Sequence, residues 1–310
     1  MINDRRYVLK TITGREVIPA LAERYSKLYL SPYSEKLSEE YQAVALCGMP
    51  PEDRSLSHFY GSGEDELVYE TTPAGEVLTV KLADRRDFEM LLNIMTNKCV
   101  IKEIPATQGA SILDGVINWN KIHARKREFI NEEKAKGVSE PDWDSEFARF
   151  TSDRNNFKEV LIVLSVGPYS AIPAEKLGME ESEWIRLSHT IRKYHECTHF
   201  ICRRLYKDKI NAIWDELVAD AVGIYAALGR FDIHMEEIFL GIEDGRYAGG
   251  RLENYVKDKD SIDELASEAH ETLVSFEELI ENAGKTGPYD IAILLEENYD
   301  RLWTKGPAFI

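Results

Sequence analysis

His195-Glu196-Cys197-Thr198-His199 is the segment of this 310-residue chain whose residue types and spacing could do chemistry. Two histidines four positions apart on a helix fall one turn apart on the same side. That lets both imidazoles reach a single zinc ion at about 2.0–2.1 Å. A glutamate next to the first histidine projects beside the metal, where it can take a proton from a water held there. Chance alone produces such a pattern in roughly one chain of this length in a hundred, so the residues around it decide its weight.

Those residues read as an amphipathic helix over about 182–206. With His195 at 0° and about 100° per residue, Trp184, Leu187, Ile191, Tyr194, Ile201 and Cys202 gather on one face, and Arg186, Arg192, Lys193, Arg203 and Arg204 on the other. His195 and His199 sit on the seam between the two, and Glu196 sits on the wetter side. That position suits a metal on the floor of a cleft. A catalytic zinc also wants a third protein ligand and an open position. The next helical stretch carries Glu216 and Asp220 one turn apart, flanked by Ala212, Ala219 and Gly223. Small residues there allow close approach to the histidine helix. Two neighbouring carboxylates repel in isolation; beside a metal and a histidine both have a role. Glu216 is expected on the metal and Asp220 on the second ring N–H of a histidine ligand.

The pattern H-E-x-x-H followed on the next helix by E-x-x-x-D resembles the gluzincin metallopeptidases, of the thermolysin and aminopeptidase type. The resemblance covers about 185–225. It implies a zincin-like α+β fold, with His195, His199 and Glu216 as zinc ligands, Glu196 as general base and Asp220 supporting a histidine. The interval from His199 to Glu216 is slightly shorter than in those families, which leaves Asp215 or Asp220 as alternative ligands. A metzincin would need Gly and His where this chain has Cys202 and Leu205. Cys202 lies about 10.5 Å along a straight helix from His195, too far to share one zinc with both histidines, and reads as core. Donors for a developing oxyanion are sought downstream among His234, Tyr247, Arg251, Tyr255 and His270. Tyr247 and Arg251 stand out because they lie in a Gly-rich loop, 245–251, that could fold over a cleft.

The elements around this centre fall into two parts. Residues 1–150 read as a mixed α+β part: helical spacing at 16–30 and 35–47, a hairpin at 66–82, a helix near 85–96, a strand at 99–104 and a polar helix around 115–136. Residues 151–310 read as a mainly helical metal-binding part, with one buried strand at 160–166 and helices near 182–206, 209–229, 232–242, 260–283 and 289–303. That strand could sit at a sheet edge and hold an extended peptide by backbone hydrogen bonds. Its unbroken apolar run fits an interior strand at least as well.

Composition bounds the partners. With 38 Lys and Arg against 55 Asp and Glu the formal charge is −17, which argues against nucleic acid and against anionic lipid. No apolar run is long enough to span a bilayer. The N-terminal Met1-Ile-Asn-Asp-Arg-Arg-Tyr carries charges where a signal peptide needs apolar residues, and Cys47, Cys99, Cys197 and Cys202 form no C-x-x-C pair. The expectation is a reduced, cytoplasmic protein of unspecified oligomeric state that binds Zn²⁺ and hydrolyses a peptide or a small non-peptide amide. A non-catalytic zinc protein, its site closed by a fourth ligand, would keep the same residues.

Overall fold

A computed structural model describes residues 11–33, 38–208, 211–256 and 259–303. The charged N-terminal stretch lies outside the described residues, as do the first residues of the helical stretch expected from 209. The chain forms two compact units. The first holds the residues up to Tyr69 together with Leu78–Ile104 and Ile112–Ser165; the second holds Glu70–Val77, Pro105–Ser111 and the chain from Val166 on.

Five strands build a mixed sheet: β1 (Ile12–Thr13), β2 (Glu66–Thr72), β3 (Gly75–Leu82), β4 (Ala110–Ile117) and β5 (Lys158–Ser165), in the order β1-β2-β3-β5-β4. β1 pairs with β2 antiparallel, and β3 pairs with β5 parallel from Leu78↔Leu161 to Leu82↔Ser165. The expected hairpin is β2–β3. Thr72 closes its turn by donating to the Gly75 carbonyl at 2.7 Å. β5 lies between β3 and β4, with Leu161, Ile162, Val163 and Leu164 all buried. The edge-strand reading is therefore overturned, because both backbone sides of β5 already have a strand beside them and no peptide can pair there.

Helices α1 (Val17–Arg24), α2 (Glu39–Tyr41), α3 (Arg85–Thr96), α4 (Trp119–Ala135) and α5 (Trp143–Thr151) complete the first unit. Its core joins Leu21, Leu28, Phe88 and Leu91 to Val80, Leu161 and Val163 of the sheet. Two details differ from the sequence reading. Residues 99–104 are not a strand: Lys98 and Cys99 take positive φ, and the Asn93 amide occupies both the N–H and the carbonyl of Lys102. The strand in this part of the chain is instead β4, at one edge of the sheet, where a helix was expected from about 115.

The second unit is helical: α6 (Glu181–Leu205), α7 (Ala212–Leu228), α8 (Ile233–Leu240), α9 (Ile262–Ala283), α10 (Pro288–Glu297) and α11 (Tyr299–Leu302), with a two-stranded ribbon, β6 (Ile242–Glu243) and β7 (Arg246–Tyr247), after α8. Asn211 caps α7 by accepting from the Trp214 N–H at 3.2 Å, and Asp232 caps α8 by accepting from the Met235 N–H at 3.1 Å. Trp184, Ile191, Trp214, Leu217, Phe239, Leu265 and Phe276 form the core. Among the described residues no helix is long and apolar enough to cross a membrane.

Candidate metal centre

The centre is built where α6 and α7 run against each other. A Cβ placed on Gly223 of α7 would lie 2.7 Å from the Ile191 carbonyl oxygen of α6. A side chain there would force the helices apart, so glycine sets their separation. The consequence is that His195 and His199 of α6 face Glu216 and Asp220 of α7 at bonding distance.

Three side chains converge. The His195 and His199 Nε2 atoms are 3.0 Å apart. Glu216 places Oε1 3.3 Å from His199 Nε2 and Oε2 3.6 Å from His195 Nε2. Both rings are buried and stand nearly perpendicular, at 88°. Among the described residues these three form the one group of this kind able to hold a metal ion. Their spacing can be checked against the ion: four ligands at about 2.0–2.1 Å in a tetrahedron are about 3.3 Å from one another. The observed edges bracket that value.

A second layer fixes His195. Its Nδ1 lies 2.7 Å from Asp220 Oδ1 and 2.9 Å from the Tyr169 hydroxyl. Tyr169 donates to the same Asp220 oxygen at 2.6 Å. Arg251 pairs with the other Asp220 oxygen and also reaches the Tyr169 hydroxyl at 3.3 Å and the Ser170 hydroxyl at 3.4 Å. Burial, with His199 beside it, lowers the His195 ring to about 3, so the ring is neutral near pH 7. A neutral imidazole that donates through Nδ1 carries its lone pair on Nε2, the atom aimed at His199 and Glu216. His199 is also buried, which disfavours its charged form. Its hydrogen bond to Glu216 and that carboxylate's charge outweigh the burial and raise it. Glu216 is held well below the ordinary carboxylate range, because the histidines and Arg251 together overcome its burial.

Of the residues singled out in the sequence, His195, His199, Glu216, Asp220 and Arg251 come together here. Glu196 is half-buried one position along from His195. Asp215 is half-buried as well and is not among the converging donors. Cys202 is buried and donates to Glu296 at 3.5 Å, away from the triad. Tyr247 is not brought to the cluster. Its hydroxyl engages the Gly250 backbone and Glu253, because the β6–β7 ribbon turns it onto its own loop. His270 pairs with Glu237 at 2.6 Å and His234 is exposed. Tyr255 does come near the cluster, where its hydroxyl feels the Glu216 carboxylate. Burial and the Glu216 charge raise it, so it stays protonated and can act as a donor.

Arg251 arrives by a tight crossing. A Cβ on Gly241, at the end of α8, would fall 2.3 Å from the Gly249 carbonyl oxygen. Only glycine lets the 245–251 loop press that closely on α8 and send Arg251 inward. Sequence reasoning missed Tyr169. It belongs to a short 3₁₀ turn after Gly167-Pro168, with no periodicity to mark it, and the two residues after it carry positive φ, 51° at Ser170 and 56° at Ala171. Non-glycine residues in that region are strained and persist only where surrounding contacts hold them. Here the Ser188 hydroxyl holds the Tyr169 N–H at 2.9 Å.

Fold and site together define a mixed α/β protein with a His-His-Glu cluster that could bind a metal. Residues 6–295 match the model of a family of unknown function, DUF7005, and the chain belongs to that family. No curated protein and no solved structure matches it.

Proposed function

We propose that the His195–His199–Glu216 cluster is a zinc centre in a zincin-like unit and that the protein is a hydrolase of amide bonds, with peptides as the leading substrate class. The observation that carries this reading is the convergence of two imidazole Nε2 atoms and one carboxylate with edges of 3.0, 3.3 and 3.6 Å. One of those imidazoles is held neutral, with its other nitrogen on a buried carboxylate. That donor set suits zinc, and three protein donors leave a fourth position for substrate or water.

Zinc bound there would polarise a carbonyl and make a water more acidic. The chain's own groups supply the rest. Glu196 takes the proton of the attacking water and passes it to the leaving amine. Tyr255 offers its hydroxyl to the developing oxyanion. Asp220, itself gripped by Tyr169 and Arg251, keeps His195 in one tautomer and one orientation. In this reading Arg251 positions the centre rather than binding the oxyanion, because its guanidinium is committed to Asp220.

The test is wild type against Glu196→Gln on a mixed peptide pool, read by mass spectrometry, with zinc measured in both. The variant should keep its zinc and lose turnover by ~10²–10⁴-fold, the usual loss on removing a positioned general base. Zinc retention with no cleavage by wild type would favour a non-catalytic metal protein. Equal cleavage by both would remove Glu196 from the mechanism.

A further inference from the structure

Glu236 lies on α8 with its side chain fully buried, and neither carboxylate oxygen has a hydrogen-bond partner among the described residues. It shares a face with Phe239, one turn further on, whose ring packs on Tyr169 at a centroid distance of 4.9 Å. The Tyr169 hydroxyl in turn touches His195 and Asp220. Glu236 therefore lies on the α8 face that carries Phe239 against Tyr169, and it feels the charge of Glu216 in the triad.

Among the described residues no cation is paired with it. α8 packs against α7, α9, β6 and the turn that carries Arg251 and Tyr255. From α7 come the carboxyl groups of Glu216 and Asp220, and Glu216 is held ionised by the histidines and Arg251. Arg251 is committed to Asp220, and His270 of α9 is committed to Glu237. Burial first, then the charges of Glu216 and Glu237, drive Glu236 strongly toward its protonated form. An ionised carboxylate with no donor and no counter-ion does not persist in such a place. A divalent cation at the triad would reverse the local balance, since two positive charges would then face Glu236 from beyond Glu216.

We propose that Glu236 is a charge-balancing carboxyl of the metal centre, a neutral acid while the triad is metal-free and a carboxylate once a divalent cation binds. The O–H bond of Glu236 breaks, its electron pair stays on the carboxylate, and the proton passes to solvent. One proton therefore leaves from Glu236 for each ion taken up. The inference rests on the metal-centre reading and adds a group that is not a ligand.

The experiment is a calorimetric zinc titration at neutral pH in two buffers of different ionisation enthalpy, which counts the protons released per ion. Wild type should release about one proton more than Glu236→Gln, and the variant should bind zinc at least about tenfold more weakly. Protons leaving the histidines are common to both proteins and cancel. A second measurement needs no variant: infrared difference spectra of wild type should lose the C=O stretch of a buried carboxylic acid when zinc is added. Equal proton counts, or a band that survives zinc, would overturn the role of Glu236. Failure of wild type to bind zinc at all is a separate outcome, which removes the metal centre and this inference with it.

Discussion

Glu159 in the first unit and Glu216 in the second are both carboxylates largely withdrawn from water, and the groups around them differ in kind. Glu159 accepts from Arg24 Nε at 2.8 Å and Nη2 at 2.7 Å, from the Tyr25 hydroxyl at 2.8 Å and from the Asn118 amide at 3.0 Å, and it pairs with Lys121 at 3.0 Å. Every lone pair has a donor, and two cations balance one charge. Burial alone would push Glu159 up; the Arg24 hydrogen bonds and charge, with Tyr25 and Lys121, hold it down at about 2. Glu216 faces two ring nitrogens, one of which carries only a lone pair. Its cation, Arg251, stands 3.9 Å off and is claimed by Asp220. A saturated cluster is finished as it stands and serves the fold. A cluster of converging lone pairs with too few protons could hold a cation inside it.

The comparison breaks if the two clusters respond alike to mutation. The largest expected effect is at Glu159. Glu159→Gln leaves Arg24 without its partner in a buried setting and should cost about 3–5 kcal/mol of stability, while leaving zinc binding unchanged. Denaturant melts of the two proteins, with zinc content measured alongside, check this. The same pair predicts an acid signature. A carboxylate whose folded pKa is lowered adds stability that is present above its unfolded value of about 4.3 and is lost as pH falls toward about 2. Wild type should therefore lose stability over that window more steeply than the variant. A parallel pH dependence in both would deny Glu159 its role.

Next in size are the α7 carboxylates. Asp220→Asn should weaken zinc by ~10–100-fold, as expected for a group that orients a ligand, and Glu216→Gln should weaken it more. Equilibrium titration with a competing chelator ranks them. The reverse order would make Asp220 the ligand. Smallest is the helix spacing: Gly223→Ala pushes a methyl against the Ile191 carbonyl and should cost about 1–3 kcal/mol. It should weaken zinc as well, because it moves Glu216 away from the histidines. Lost stability with unchanged zinc affinity would show that the triad tolerates a looser α6–α7 contact.

How much of this was legible in the sequence differs by region for the same physical reason. The α6–α7 half of the site follows from local spacing: residues four apart share a helix face, and small residues mark a close approach. The helical wheel did misplace Arg192, which is buried with its guanidinium on the Gly167 and Pro168 carbonyls. Periodicity describes a helix in isolation and cannot register a partner brought in from another segment. Tyr169 was invisible for that reason, and the expectation for Tyr247 went astray because a tight ribbon, not the loop's glycines, decides where its ring goes. In the sheet, Asp114 and Gly115 interrupt the alternation that would have marked β4. The run at 99–104 looked like a strand by composition, while two positive-φ residues and the Asn93 amide take its backbone out of any ladder.

The claim on which the rest depends is that the triad holds one zinc ion. Elemental analysis of the purified protein, combined with X-ray absorption at the zinc edge, addresses it directly. The account predicts one zinc per chain in a shell of nitrogen and oxygen only, two of the donors being imidazoles, and its loss in both His195→Ala and His199→Ala. A sulfur atom in the shell, or zinc content unchanged in both variants, would contradict it.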